Sequence, residues 1–300
     1  MRARMKRRQR IRTLTIAATL IIIAVSLVIG FYVALNAGST GLDKKDSLPV
    51  SSTDLGTMYQ VSHAAYGPSG SSLLATSGGS PNLQAASGSP FVTNGKPIIV
   101  YIGADFCPYC AVERWSLIMG LSRFGNFSNL HYMTSASGSE GDYATFTFTG
   151  SSYSSKYVSF EPIEQEDRDR NVIATVPANA SLGFGSAYPF VNFNNRYLLT
   201  TLIPDTSILA GKNWTQIFTS VSSGDSTGTV IKEGANAITA LICKIIPSSL
   251  QDSKSNEVCN APAITSTSIG LASPSSSSLS LAQVPSPAFA PLPGTRQRWS

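Results

Sequence analysis

The sequence predicts an α/β domain over residues 91–260, in which a central β-sheet is flanked by helices. Three observations support this fold class. Residues 97–103 form a short apolar run that is typical of a strand buried on both faces. From Pro108 onward, polar residues recur at helical spacing instead, and residues 189–200 have the pattern of a β-hairpin. Strand, helix and hairpin in this order indicate a mixed α/β architecture.

The helix that begins at Pro108 is expected to run for about four turns and to be largely buried. Small or polar residues recur along one stripe of this helix, while apolar residues occupy its other faces. The stripe consists of Glu113, Ser116, Gly120 and Arg123. We expect Gly125 to provide the C-terminal cap.

Further strands are predicted at residues 130–133, 143–149 and 157–160, and further helices at 214–221 and 230–246. Asn194 and Asn195 tolerate positive φ, so they are expected to form a two-residue hairpin turn. Residues 161–170 hold five acidic and two basic side chains. Such a charge run is typical of a solvated face, and we favour that interpretation over an acid–base site.

The segments on either side of this domain are rich in small and polar residues. Residues 36–90 are predicted to be a Ser/Gly-rich linker. Their few apolar residues, which include Leu55, Met58 and Leu74, leave open a short helix packed on the domain. Residues 261–300 are Ser/Pro-rich and are expected to be a disordered tail.

The N-terminal region predicts a membrane anchor. Residues 1–13 are a basic tail, and residues 14–35 contain no charged side chain. As a helix this apolar stretch would match the roughly 30 Å hydrocarbon core of a bilayer. It is longer than the apolar region of a cleaved signal peptide, which is the alternative. The positive-inside rule then predicts a single-pass protein of the cell membrane, with a cytoplasmic N-terminus and an extracytoplasmic C-terminal domain.

The charge distribution argues against nucleic-acid binding. The chain carries a net charge of +5, but seven basic residues lie within residues 1–12 and acidic residues outnumber basic ones in the remainder. The chain contains only two histidines, His63 and His131, and neither lies at a metal-ligand spacing from the cysteines. We therefore expect no nucleic-acid partner, no metal and no bound cofactor.

The motif Cys107-Pro108-Tyr109-Cys110 lies where the buried strand gives way to the helix. Proline suits the first helical position, so Cys107 becomes the N-cap beside free backbone N–H groups and the positive end of the helix dipole. These features favour the thiolate, and they predict that Cys107 attacks a disulfide while the deeper Cys110 resolves the mixed disulfide. A structural bridge and half of a metal site are the alternatives.

The motif, its preceding strand and its following helix resemble the active site of the thioredoxin superfamily, and Cys-Pro-Tyr-Cys is the glutaredoxin form of the motif. The resemblance implies a thioredoxin-like central sheet, with an insertion between Ser135 and Tyr188. It also implies a cis-proline that opens the strand facing the cysteines, for which Pro189 is the best match. The backbone of Tyr188 would then pair with a bound substrate.

The sequence departs from the superfamily pattern at two positions. Tyr101 occupies the position of a buried acid, so the resemblance assigns no proton shuttle for Cys110, and Glu113 is the candidate that we consider for this role. Phe106 precedes the motif where thioredoxins carry tryptophan.

Residues 97–130 are also similar to an uncharacterised, mainly archaeal group of membrane-anchored proteins, the domain of unknown function 929 family.

A second pair of cysteines, Cys243 and Cys259, lies 16 positions apart in the sequence. In an oxidising compartment this pair is expected to form a structural disulfide. The alternative is a second redox pair that exchanges electrons with Cys107.

These observations together predict a membrane-anchored, extracytoplasmic thiol–disulfide oxidoreductase that acts on protein thiols and disulfides, with a membrane redox partner as a further expectation. Two alternatives stay open. The domain would otherwise be a non-enzymatic surface interaction module with structural disulfides, or a copper-handling thiol protein.

Overall fold

The computed structural model describes residues 45–64, 66–74, 82–135, 142–178, 180, 183–267 and 269. The predicted anchor at residues 14–35 and nearly all of the predicted tail lie outside these residues. No helix within the described ranges is long and apolar enough to cross a membrane.

Seven α-helices occur in the described residues: α1 (Ser52–Ala64), α2 (Ser71–Leu74), α3 (Pro108–Ser122), α4 (Trp214–Ser223), α5 (Ser226–Ile245), α6 (Ser253–Cys259) and α7 (Pro262–Thr265). Short 3-10 helices cover Thr206–Leu209 and Ser248–Leu250. The strands are β1 (Leu83–Ala85), β2 (Val92–Thr93), β3 (Lys96–Gly103), β4 (Gly125–Ser128), β5 (His131–Thr134), β6 (Ala144–Thr147), β7 (Ser152–Ser155), β8 (Ser159–Glu164), β9 (Phe190–Phe193) and β10 (Tyr197–Leu199).

The central sheet is mixed, and helices pack against it. Its strand order is β1, β10, β9, β3, β8, and β2 pairs antiparallel with the first residues of β3. Strand β3 runs parallel to β8 and antiparallel to β9. The α/β class and the central position of β3 are therefore confirmed.

Strand β3 is apolar on both faces because each face packs against a separate core. Ile99 and Tyr101 point into the larger core, whereas Ile98, Val100 and Ile102 point into a smaller one on the opposite face. These five residues are almost completely buried. The unbroken apolar run in the sequence reflects this burial on two sides.

Three of the four residues in the small and polar stripe on α3 face helix α5, whereas Glu113 accepts the backbone N–H of Leu202. Ser116 donates to the carbonyl of Ile231 at 3.1 Å, and Arg123 donates to Thr239 Oγ1 at 2.6 Å. A Cβ atom at Gly120 would lie 2.9 Å from Cγ2 of Ile238. The stripe therefore provides close approach and hydrogen bonds between two buried helices.

Two local expectations are wrong. Helix α3 is capped by Arg123, and Gly125 instead begins strand β4, where a Cβ would collide with the carbonyl of Ser154 on β7. The hairpin turn has three residues rather than two, because Phe193 pairs with Tyr197. Asn194 and Asn195 do adopt positive φ, at 58° and 53°.

Part of the region predicted as linker packs against the domain. Helix α1 lies within residues 36–90, and its Met58 is 2% exposed in the main core. Leu83 on β1 is buried in the same core, and β1 pairs with β10 at the edge of the central sheet. The alternative of a helix packed on the domain thus describes residues 52–64, and the packed body begins before Phe91.

Two small sheets are formed by the strands that lie between α3 and β8 in the sequence. Strand β4 pairs with β7 and strand β5 pairs with β6, both antiparallel. Trp115 of α3 donates its indole N–H to the carbonyl of Ala144 on β6 at 2.9 Å. This contact fastens the added strands to the helix that carries the Cys-Pro-Tyr-Cys motif.

Candidate active site

The Cys-Pro-Tyr-Cys motif lies at the carboxyl end of β3 and at the N-terminus of α3. Cys107 is the N-cap residue, with φ −73° and ψ 123°, and Pro108 occupies the first helical turn. The Sγ of Cys107 accepts a hydrogen bond from the backbone N–H of Cys110 at 3.3 Å. This is the helix-start geometry that the sequence predicts.

The two cysteines have unequal environments. Both are free thiols, and Cys107 is 5% exposed while Cys110 is fully buried. The pKa of Cys107 is lowered, chiefly by the hydrogen bond with the Cys110 thiol and then by the backbone N–H of Cys110 and the charge of Arg114. Burial raises the pKa of Cys110 well above its usual value, and the neighbouring Cys107 raises it further. Cys107 is therefore the more acidic thiol and the more accessible one.

Aromatic side chains enclose Cys107. Phe106 and Tyr188 pack against the cluster formed by Ala104 and the two cysteines, and their rings meet edge to face at 6.3 Å. The guanidinium of Arg170 lies 3.9 Å from the centre of the Phe106 ring. These residues form a rim around Cys107, which is 5% exposed.

Tyr188 has a polar anchor as well. Its hydroxyl donates to Gln165 Oε1 at 2.7 Å and lies 3.1 Å from Glu166 Oε1. Burial, the Glu166 carboxylate and the nearby cysteines raise the pKa of Tyr188 to about 12. The hydroxyl therefore stays protonated at neutral pH and holds the ring against the motif.

The peptide bond between Tyr188 and Pro189 is cis, as the resemblance implies. Pro189 immediately precedes strand β9, whose Phe190 pairs with Ile102 near the carboxyl end of β3. This register places Tyr188 beside the motif. A role of Tyr188 and Pro189 in substrate binding stays a prediction.

A buried ion pair lies behind the motif, and sequence reasoning missed it. Arg114 is fully buried and forms a bidentate salt bridge with Glu164. Its Nε donates to Oε1 at 3.0 Å and its Nη2 donates to Oε2 at 2.8 Å. It also donates to the carbonyl of Ala104 at 2.8 Å and lies 3.5 Å from Asp105. The available signal was an arginine four residues after Cys110, hence on the same helical face as Cys110 and outside the polar stripe of the helix.

The interpretation of residues 161–170 as a solvated face is wrong at Glu164. This residue is 4% exposed because it ends strand β8 directly beside Gly103 of β3. Its neighbour in the network, Asp105, has a pKa raised to about 7, first by burial and then by the charge of Glu164. The side chains of Glu161 and Asp169 are exposed, as predicted.

Tyr101, the residue at which the resemblance to thioredoxins implies an acid, lies on β3. Its side chain is fully buried, and burial raises its pKa well above the usual value, while the charge of Arg114 opposes this shift and the charge of Glu164 adds to it. A Cβ at Gly103 would collide with the Tyr101 hydroxyl, so glycine at 103 is required by the tyrosine two residues before it. The charge of Cys110 is among those that act on Tyr101.

Glu113, which we considered as a proton shuttle for Cys110, is 1% exposed. One carboxyl oxygen accepts the backbone N–H of Leu202 at 3.1 Å, and the other has no hydrogen-bond partner among the residues that the structure describes. Burial raises the pKa of Glu113 to about 8, and the charge of Cys107 adds to the shift. The side chain therefore lies within electrostatic range of the motif as a carboxyl group that titrates near neutral pH.

Cys243 and Cys259 lie at disulfide distance, with an S–S separation of 1.97 Å and a Cα–Cα distance of 5.7 Å. The bond joins the end of α5 to the end of α6. Both cysteines are partly exposed. In the residues that the structure describes, no cluster of three or more His, Cys, Asp or Glu side chains is arranged to hold a metal ion.

Residues 82–185 match the family model of a domain of unknown function, DUF929. This segment carries β3, the Cys-Pro-Tyr-Cys motif, α3 and β8, and it ends before Pro189. No curated protein and no solved structure is similar enough to the chain to match it. Over residues 82–185, less than half of its length, the chain therefore resembles the DUF929 family.

Proposed function

We propose that this protein is a membrane-anchored, extracytoplasmic thiol–disulfide oxidoreductase that acts on protein disulfides through Cys107 and Cys110. One observation carries the proposal. Cys107 caps the N-terminus of α3 as the more acidic and more accessible thiol, and Cys110 lies buried beneath it as the less acidic one. This asymmetry suits one cysteine to attack and the other to resolve.

The exchange proceeds in two balanced steps. The Cys107 thiolate attacks one sulfur of a substrate disulfide, a mixed disulfide forms, and the other substrate sulfur leaves as a thiolate. Cys110 then loses its proton and attacks Cys107 Sγ, which releases the second substrate sulfur. The motif ends as a disulfide, the substrate ends with two reduced sulfurs, and the Cys110 proton goes to one of them. The reverse sequence oxidises a substrate dithiol.

The order of the strands supports a thioredoxin-like domain. Strand β3 leads into α3, and β8 then returns parallel to β3. Strands β9 and β10 follow as an antiparallel pair on the other side of β3, and α5 comes after them. In this description the two small sheets, β4 with β7 and β5 with β6, are the insertion, which then begins at Gly125 rather than after Ser135. Between β8 and β9 the described residues form no helix.

Two features support an extracytoplasmic location. Residues 14–35 lack charged side chains and follow a basic segment. The Cys243–Cys259 pair lies at disulfide distance, and structural disulfides persist in oxidising compartments. The domain is then displayed outside the membrane, where its substrates form and exchange disulfides.

The test is to trap the intermediate that the mechanism requires. A Cys110→Ala variant should accumulate mixed disulfides with a partly unfolded, disulfide-containing protein, because no thiol remains to resolve them. The matched Cys107→Ala variant should accumulate almost none, since Cys110 is fully buried. Non-reducing electrophoresis with mass spectrometry of the adducts measures both.

Thiol trapping of the full-length protein in redox buffers distinguishes the alternatives. A redox-active motif should interconvert between dithiol and disulfide under mild conditions. If the motif forms a bridge that resists mild reductant and Cys110→Ala captures nothing, the protein is a surface module rather than an oxidoreductase. Tight Cu(I) binding that abolishes exchange would favour the copper-handling alternative.

A further inference from the structure

A buried ion pair, Arg114 with Glu164, lies next to the Cys-Pro-Tyr-Cys motif. Arg114 lies on the same helical face as Cys110, four residues further along α3. Its guanidinium also touches the carbonyl of Ala104, which packs against both cysteines. Because Arg114 and Glu164 are buried, water and salt screen their charges weakly.

The two charges act on the thiols in opposite directions. Arg114 lowers the pKa of Cys107 and opposes the raised pKa of Cys110, while Glu164 raises the pKa of Cys110 by a smaller amount. The position of a buried acid is occupied by Tyr101, whose strongly raised pKa makes it a poor proton acceptor. The strand before the motif therefore supplies no proton acceptor, and the charge of the buried Arg114 is partly neutralised by Glu164.

Resting on the proposed function, we infer that Arg114 is a positioning residue for the resolving step. Its guanidinium stabilises the Cys110 thiolate as that thiolate forms, and Glu164 sets the strength of this effect by neutralising part of the charge. The other titratable groups that face the motif are Tyr101 on β3, Asp105 before the motif, Glu113 on α3 and Tyr188 before β9.

The experiment uses the reduced full-length protein and a chromogenic aromatic disulfide, whose two halves are released in separate phases. The first phase is the attack by Cys107, and the second is the displacement by Cys110. The rate of each phase is measured from about pH 5 to about pH 11, because ordinary thiols titrate near pH 8.5 and the pKa of Cys110 is raised well above its usual value. The midpoint of the second phase reports the ionisation of Cys110 in the mixed disulfide.

The inference predicts that two variants shift the midpoint of the second phase in opposite directions. Glu164→Gln leaves the guanidinium less neutralised, so the second-phase midpoint should fall by about one pH unit. The double variant Arg114→Gln, Glu164→Gln removes both charges, and its midpoint should rise above that of the wild type because Arg114 has the larger effect. The double variant also avoids an unpaired buried charge, which would threaten folding.

The control is Glu161→Gln, the same loss of charge at an exposed position on the same strand, which should leave both midpoints unchanged. The inference is wrong if the two variants shift the second-phase midpoint in the same direction or not at all. The absence of a first phase in the wild type would instead overturn the proposed function, so the two failures are distinguishable.

Discussion

Removal of the Cys243–Cys259 bond should lower the stability of the domain without impairing exchange at the Cys-Pro-Tyr-Cys motif. The bond closes a loop with a sequence separation of 16. The chain-entropy estimate for a loop of this length is about 3 kcal/mol. We therefore expect a Cys243→Ser, Cys259→Ser variant to unfold with a free energy about 3 kcal/mol lower than the wild type.

The structure indicates that this cost appears in global unfolding rather than in local fraying. Val258, within the closed loop, is 3% exposed in the main core. Asp252, also in the loop, accepts hydrogen bonds from Lys156 at 2.7 Å and from Tyr157 at 2.8 Å. These contacts hold α6 in place without the bond. Removing the bond therefore acts mainly by raising the conformational entropy of the unfolded chain.

Urea unfolding followed by the fluorescence of the buried Trp115 and Trp214 measures the change. A loss of about 3 kcal/mol lowers the midpoint by about 1 M or more. A midpoint within error of the wild type would refute the loop-entropy argument. Normal stability with lost exchange would show instead that Cys243 and Cys259 form a second redox pair that serves Cys107.

Two further predictions concern α3. Gly120→Ala should destabilise the protein by about 1–3 kcal/mol despite the better helix propensity of alanine, because the added Cβ would lie 2.9 Å from Ile238 on α5; the control Gly56→Ala has open space around its Cβ and should not destabilise. Glu113→Gln should flatten the pH dependence of stability. Since burial raises the pKa of Glu113 to about 8, its stabilising contribution is complete below its unfolded pKa of about 4.3 and is lost as the pH rises through about 8. Urea unfolding near pH 5 and near pH 8 measures this loss, and an equal pH dependence in both proteins would contradict it.

The sequence by itself determines the features that depend on neighbours along the chain. The apolar run before the motif specifies a strand buried on both faces, because period and composition are local properties. Proline at the first helical position makes Cys107 the N-cap, and the structure has that geometry. The positive φ of Asn194 and Asn195 follows from residue type in the same way.

The tertiary structure alone decides which distant groups meet. Glu164 belongs to an acidic run and looks solvated in the sequence, but the parallel register of β8 with β3 buries it beside Gly103, where it pairs with Arg114. The packing of α1 against the core also depends on the tertiary structure. The few apolar residues of α1, such as Met58, are buried only when α3 is present to pack against them. Burial and pairing depend on long-range register, and a single sequence does not encode that register in its local pattern.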